Sequence, residues 1–297
     1  MPPTLLILDA DPLPTNILAA WSFPIVPFIT LAITLIIYLR GWRAIHQTRP
    51  HQLPPWRAAT FFAGILSLWI ALASPIDALD DYLLAAHMIQ HFILMSIAPP
   101  LIILGAPAVP ILRGLPRSFT RTVVGPLLSN RAFHTALRLL THPMTAWLLM
   151  NAIYLGWHVP FMFELTFRSD SIHDFEHFCF FATSILFWWP IVQPWPQQSR
   201  FNAWLIILYL LTSDLVNTGL SAFLCFSGRL LYPSYGIVDP PFGLDALNDQ
   251  IAAGAFMWVF GSLVFLAPAI YFTARFLTNG RLIDEKTGLG RARAMAQ

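Results

Sequence analysis

Long apolar runs constrain this chain more than any other feature of its sequence. Stretches at about 17–39, 57–74, 82–104, 143–163, 172–192, 201–226 and 250–276 each carry two charged side chains at most. About 20 mostly apolar residues suffice to cross ~30 Å of hydrocarbon. In lipid a spanning backbone must satisfy its own polar groups, so such runs form helices. The expectation is an all-α, multi-pass membrane protein with seven transmembrane helices, the second of them short. Composition agrees: the 297 residues are 57% hydrophobic and only 11% charged, where a soluble domain is charged at roughly 25% of its positions. A soluble globular fold is excluded. The net charge of +2 and the absence of basic runs interleaved with aromatics exclude nucleic acid as a partner and leave the lipid bilayer. Two cysteines, Cys179 and Cys225, leave room for one disulfide but not for a disulfide scaffold. No composition shift divides the chain, so 1–297 reads as a single integral-membrane domain with a tail at 277–297.

Orientation follows from the basic residues. All 17 except Arg168 and Arg229 fall between spans one and two, three and four or five and six, or after span seven. That side is expected to be cytoplasmic, with the amino terminus outside and the carboxyl-terminal tail inside. Acids such as Asp9, Asp11, Asp77, Asp80, Asp81, Asp239, Asp245 and Asp249 partition to the opposite side. No positive residue precedes the first run, so it is expected to remain as a span and not to be cleaved as a signal. Trp188, Trp189 and Trp195 read as a belt at the inner interface. Pro99 and Pro100 predict a kink in span three whose freed carbonyls need partners from neighbouring helices.

Ionisable groups at membrane depth are costly and mark function. His87 and His91 stand four apart in "YLLAAHMIQHFILM", on one face of span three, and His173 and His177 repeat the spacing in "SIHDFEHFCFF". His158, in "YLGWHVP", falls at the same outer level. Such pairs offer two imidazole nitrogens to one ion, the donor type that suits Cu, Zn, Fe and Ni. Asp174 or Glu176 is placed to accept the second ring N–H of a ligating histidine, the usual outer support of such a ligand. Met88, Met95, Cys179 and Met257 add soft sulfur, which favours Cu(I), though packing is the commoner use of such residues. Asp214, near the middle of span six, reads equally as a proton relay facing the histidine layer or as a hydrogen-bond partner of Thr212, Asn217 or Thr218. The outer segment 227–249 is too polar and Pro-rich to cross, and reads as a lid over the histidine face or a docking surface. Sitting at the ends of their helices, the histidines are expected to tolerate alanine singly.

Several motifs together resemble a known family. "HMIQHFILMSIAPPLIILGAP" (87–107), "HPMTAWLLMNAIYLGWHVPFMFE" (142–164), "HDFEHFCFFATSILFWWPI" (173–191), "LYPSY" (231–235) and "DQIAAGAFMW" (249–258) are similar to the CtaG family of integral-membrane cytochrome c oxidase assembly factors, those associated with caa-type oxidases. The similarity runs from about 79 to 276, and the first two spans share only hydropathy with the family. It implies a non-catalytic factor of the bacterial inner membrane that helps mature a haem–copper oxidase, with oxidase subunits or other assembly factors as partners and copper as the ion. The family's histidine positions fall on His87, His91, His158, His173 and His177, and its "DQ-x-x-AG-x-x-MW" motif on Asp249, Gln250, Ala253, Gly254, Met257 and Trp258.

Two other classes compete. A membrane metalloenzyme of the di-iron type needs a richer His-x-x-His-His set on the cytoplasmic side. A haem-binding or copper-transporting protein needs facing ligands, which His91 and His158 supply, or polar groups along the whole depth, of which only Asp214 extends below the outer half.

Overall fold

A computed structural model describes residues 17–192, 202–238 and 241–295, and among these there is no strand. We number the principal helices α1 (Ile25–His46), α2 (Pro55–Ala73), α3 (Leu84–Leu104), α4 (Pro143–Trp157), α5 (Pro160–Thr166), α6 (Asp170–Val192), α7 (Ala203–Phe226) and α8 (Ala246–Met295). Six of these are long and apolar enough to cross a membrane: α1, α2, α3, α6, Trp204–Phe226 of α7 and Ala246–Thr278 of α8. The fourth apolar run differs from the single helix expected at 143–163. Pro160 cannot continue a helix, and it pushes the residue before it into extended backbone; Val159 is extended, and the run breaks into α4 and α5. At 1.5 Å per residue, the 15 residues of α4 reach about 22 Å, less than the ~30 Å core. The first helix is also displaced: α1 runs through Arg40 and Arg43, residues placed in a loop by hydropathy alone. Arginine is a good helix former whose stem can lie along apolar surface while its charge reaches water. The basic connection after α3 is helical too, in short pieces from Ala108–Gly114 to Arg131–Leu140. Trp195, Arg200, Asp9, Asp11 and Asp239 lie outside the described residues.

Span three shows how proline is accommodated. Pro99 has no N–H, so the carbonyl four residues back, Met95, loses its helical donor. The helix opens into a π-turn over Ile93–Ile97, and Trp188 Nε1 donates to Met95 O at 3.0 Å. Trp188 is therefore buried in the core and bonded to α3, not placed in an interface belt.

Close backbone approach holds the bundle together, as expected where lipid offers no hydrophobic drive between helices. A Cβ on Gly41 of α1 would stand 1.8 Å from Pro110 O, and one on Gly114 would stand 1.8 Å from Ile37 O. Gly254 and Gly261 of α8 likewise press against Ser221 and Asn217 of α7. Nothing lies within 4 Å of a Cβ on Gly156. Gly41→Ala is expected to cost about 1–3 kcal/mol through forced separation of the two segments. Gly156→Ala is expected to be neutral or to stabilise by up to about 1 kcal/mol, from helix propensity alone. Unfolding midpoints of the two purified variants in one detergent check the contrast.

Candidate metal centre

The site begins with the placement of α3. Asp249, at the start of α8, accepts from Leu84 N at 2.6 Å through Oδ2 and from Ala85 N at 3.3 Å through Oδ1. These are free amides of the first turn, and a carboxylate satisfies them while opposing the helix dipole. Gln250 beside it accepts from Leu231 N at 2.7 Å and donates to the carbonyls of Leu224 and Arg229. The Asp-Gln pair thus secures both α3 and the loop after α7. On α3, Gln90 donates to Ala71 O at 2.9 Å and to Asp77 Oδ1 at 2.8 Å, tying the helix to α2 and to the turn Asp77–Asp80.

With α3 held in place, His87 and His91 present their rings to α6. Their Nε2 atoms stand 2.5 Å apart. Glu176 sits against both, its Oε2 3.7 Å from His87 Nε2 and its Oε1 3.8 Å from His91 Nε2. All three are deeply buried, at 3%, 3% and 1% exposure. His173 stacks on His87 with ring centroids 5.3 Å apart and places Nε2 3.7 Å from Asp80 Oδ2. His177 lies 4.2 Å from His173 and 5.2 Å from His91, ring to ring. Two donor triads result, Asp80–His87–His173 and His87–His91–Glu176, each with its ligand atoms within 4.8 Å of one another. His87 belongs to both.

The donors suit a metal ion. Asp80 Oδ2, His173 Nε2, Glu176 Oε2 and His177 Nε2 are buried without a hydrogen-bond partner, and each such group carries a desolvation cost of about 1–3 kcal/mol. Burial, reinforced by the nearby charges of Asp81 and Asp77, holds the Asp80 carboxyl well above the usual carboxylate range, and a cation in the first triad would offset that cost. Two imidazoles on one tetrahedral ion stand about 3.3 Å apart, given metal–nitrogen bonds of about 2.0–2.1 Å. An ion held between His87 and His91 would take the place of the direct contact between their Nε2 atoms.

A cover closes this end of the bundle. Tyr232 donates to His158 O at 3.0 Å and Tyr235 to Asp80 O at 2.7 Å. Ser234 donates its hydroxyl to Glu164 Oε2 at 2.5 Å and its amide to Glu164 Oε1 at 3.2 Å. Phe163 packs between the Tyr232 ring at 4.0 Å and the His87 ring at 5.1 Å. Within segment 227–249, Tyr232 and Tyr235 thus lie against the backbone of His158 and Asp80, the position expected of a lid.

Comparison with known proteins decides the family. The profile of the cytochrome c oxidase caa3 assembly factors matches residues 36–279, more than half of the chain and every residue of the site from Asp80 to Met257. The chain belongs to this family. The match reaches back to residue 36, inside α1, well before the start at 79 that motifs alone supported. Uncharacterised proteins of Mycobacterium bovis and Mycobacterium tuberculosis are each 23% identical over 288 residues, 94% of this chain and 42% of theirs. One from Mycobacterium leprae is 23% identical over 255 residues, 83% of this chain and 38% of its own. The chain thus spans less than half the length of these curated relatives. No solved structure matches it.

In this chain the expected site residues divide. His87, His91, His173 and His177 gather, with Glu176 among them and not behind them. His158 donates its Nδ1 proton to Tyr154 O at 2.7 Å and lines a cavity beside His91. Met257 lines that same cavity. Asp174 is exposed, and Asp249 acts on the backbone of α3. Asp214 Oδ1 is buried with no hydrogen-bond partner, and Asn217, a suggested partner, instead accepts from Tyr154 and donates to Met257 O. Cys179 and Cys225 are free, so no disulfide joins them. The burial of His87 and His91 corrects the expectation that alanine would be tolerated: removing either ring opens a core cavity. Asp80 was missed because a non-helical break at 81–83 separates it from His87, hiding any helical spacing.

Burial also raises the carboxyl of Asp77, to about 6, against the lowering hydrogen bonds from Ser22 and Gln90. A carboxyl raised in the folded state contributes stability that is complete below its ordinary value of 3.8 and lost as pH rises through about 6. Asp77→Asn keeps an acceptor for Gln90 and removes that dependence. The stability difference between pH 4 and pH 7 should shrink by roughly 2 kcal/mol in the variant, as read from unfolding curves at both pH values.

Proposed function

We propose that this assembly factor holds copper at the histidine–carboxylate cluster, on the outer face of the bacterial inner membrane, and passes it to a subunit of the oxidase or to another assembly factor. The observation that carries this reading is the pair of donor triads sharing His87, every member of them buried except the partly exposed His173. His87 and His91 with Glu176, and His173 with Asp80, would hold the ion, with His177 adjacent. Imidazole suits copper, and two buried carboxylates supply the negative charge that a cation needs in a dry site. Bound here, copper would be an exchangeable cargo and not a reaction centre; the protein's part is to hold, orient and shield it beneath the Tyr232–Tyr235 cover.

Orientation supports an outer site. The cluster lies at the opposite end of its helices from Arg40, Arg43, Arg113, Arg117 and Arg121, and basic residues favour the cytoplasmic side. In this reading α4 and α5 together make the fourth of seven crossings, with the amino terminus outside and the carboxyl terminus inside. Reporter fusions at the carboxyl terminus and in segment 227–249 test the arrangement. Cytoplasmic activity is expected from the first and periplasmic activity from the second; the reverse pattern rejects an outer site.

Glu176→Gln and His87→Gln preserve volume better than alanine and separate binding from folding. Even an outer-shell partner of a metal is typically worth 10–100-fold in affinity, so each variant should lose at least tenfold in copper affinity while remaining in the membrane. Oxidase activity in a strain carrying either variant should fall and recover partly when copper is added outside. Full oxidase activity at normal protein abundance without bound copper would reject copper delivery.

A further inference from the structure

Beneath the cluster lies a chemically different cavity of about 50 Å³. A water molecule needs roughly 10–15 Å³ of such space, so there is room for an ion or a few waters. It is walled by His91 and His158 together with four methionines, Met88, Met95, Met150 and Met257. All six side chains are more than nine-tenths buried.

The polar groups around this cavity are largely occupied with one another. Tyr154 donates to Asn217 Oδ1 at 2.8 Å, Asn217 Nδ2 donates to Met257 O at 3.2 Å, and Asn151 Nδ2 donates to Trp147 O at 2.8 Å. The Met150 sulfur accepts from Ser184 at 3.4 Å. What remains is mainly soft: the thioethers of Met88, Met95 and Met257 and two imidazole nitrogens, beside the Ser96 hydroxyl and the Asn151 amide oxygen. His158 engages Tyr154 O through Nδ1, which fixes the proton there because a carbonyl can only accept, and so leaves Nε2 with a bare lone pair. That Nε2 is buried without a partner, as is Nδ1 of His91. The other nitrogen of His91 faces His87 and Glu176.

We infer that this cavity is a second metal site, for Cu(I), with His158 Nε2 and the thioethers as ligands and His91 as the ring shared with the cluster above. Thioether and imidazole without a carboxylate select a soft, singly charged ion, whereas the carboxylate-bearing triads accept harder, doubly charged ones. No carboxylate lines the cavity, so a doubly charged ion would be left uncompensated in a dry site. The inference rests on the copper reading of the cluster for its biological sense, but its chemistry is independent of it.

The full chain in detergent is titrated with Cu(I) under anaerobic conditions and separately with Cu(II), each under a competing chelator, and the bound metal is examined by X-ray absorption. The wild type is expected to show sulfur neighbours around copper and to bind one equivalent more than Met95→Leu/Met257→Leu, a swap close in volume that a packed core tolerates. That variant should lose the sulfur signal and keep the nitrogen–oxygen site. Glu176→Gln/His173→Gln should show the converse, keeping the sulfur-bound equivalent. Absence of sulfur neighbours in the wild type overturns the inference whatever the variants do, and identifies the cavity as a water pocket. Sulfur-bound copper with no nitrogen–oxygen equivalent would instead reject the cluster reading and leave this one standing.

Discussion

A polar group inside a bilayer must find its partner within the protein, because hydrocarbon offers none. The cap of α3 shows what depends on this. Two amides at the start of that helix are met by Asp249, a residue 165 positions away at the start of α8. The same helix carries His87 and His91, so the bond that settles two orphan amides also sets the depth and rotation of both imidazoles. Farther along, the carbonyl of Met95 freed by Pro99 is met by Trp188 of α6, the helix that brings His173, Glu176 and His177. The backbone repairs are made between α3, α6 and α8, and the first two of these, with the turn Asp77–Asp80, carry the metal-capable cluster.

Around the cluster, side chains are spent on closure. Tyr232 and Tyr235 turn their hydroxyls to the carbonyls of His158 and Asp80, and Glu164 holds the loop between them through Ser234. The two tyrosine bonds fall on the backbone carbonyls of candidate ligands themselves. The cover and the donors are therefore one unit, and the Asp-Gln pair of α8 anchors both sides of it. A motif such as Asp249–Gln250 looks like ligand chemistry in a sequence rich in histidine, yet its work here is mechanical.

Much of this was legible in the chain itself. Hydrophobic runs near 20 residues left only helices as a way across a bilayer, and four-residue histidine spacing left both rings of each pair on one helical face; both follow from local geometry. The motif order pointed to the caa3 assembly factors, and the family match bears this out. Other features depended on which helix packs against which. Trp188 has the composition of an interface residue and became a core donor because α6 lies against a proline-opened α3. Asp80 joined the donors because a turn folds back toward α6, and Glu176 entered between the histidines because α6 and α3 meet along that face. Periodicity reports the face of one helix; only tertiary packing decides what that face meets, and so which buried polar atoms share a site.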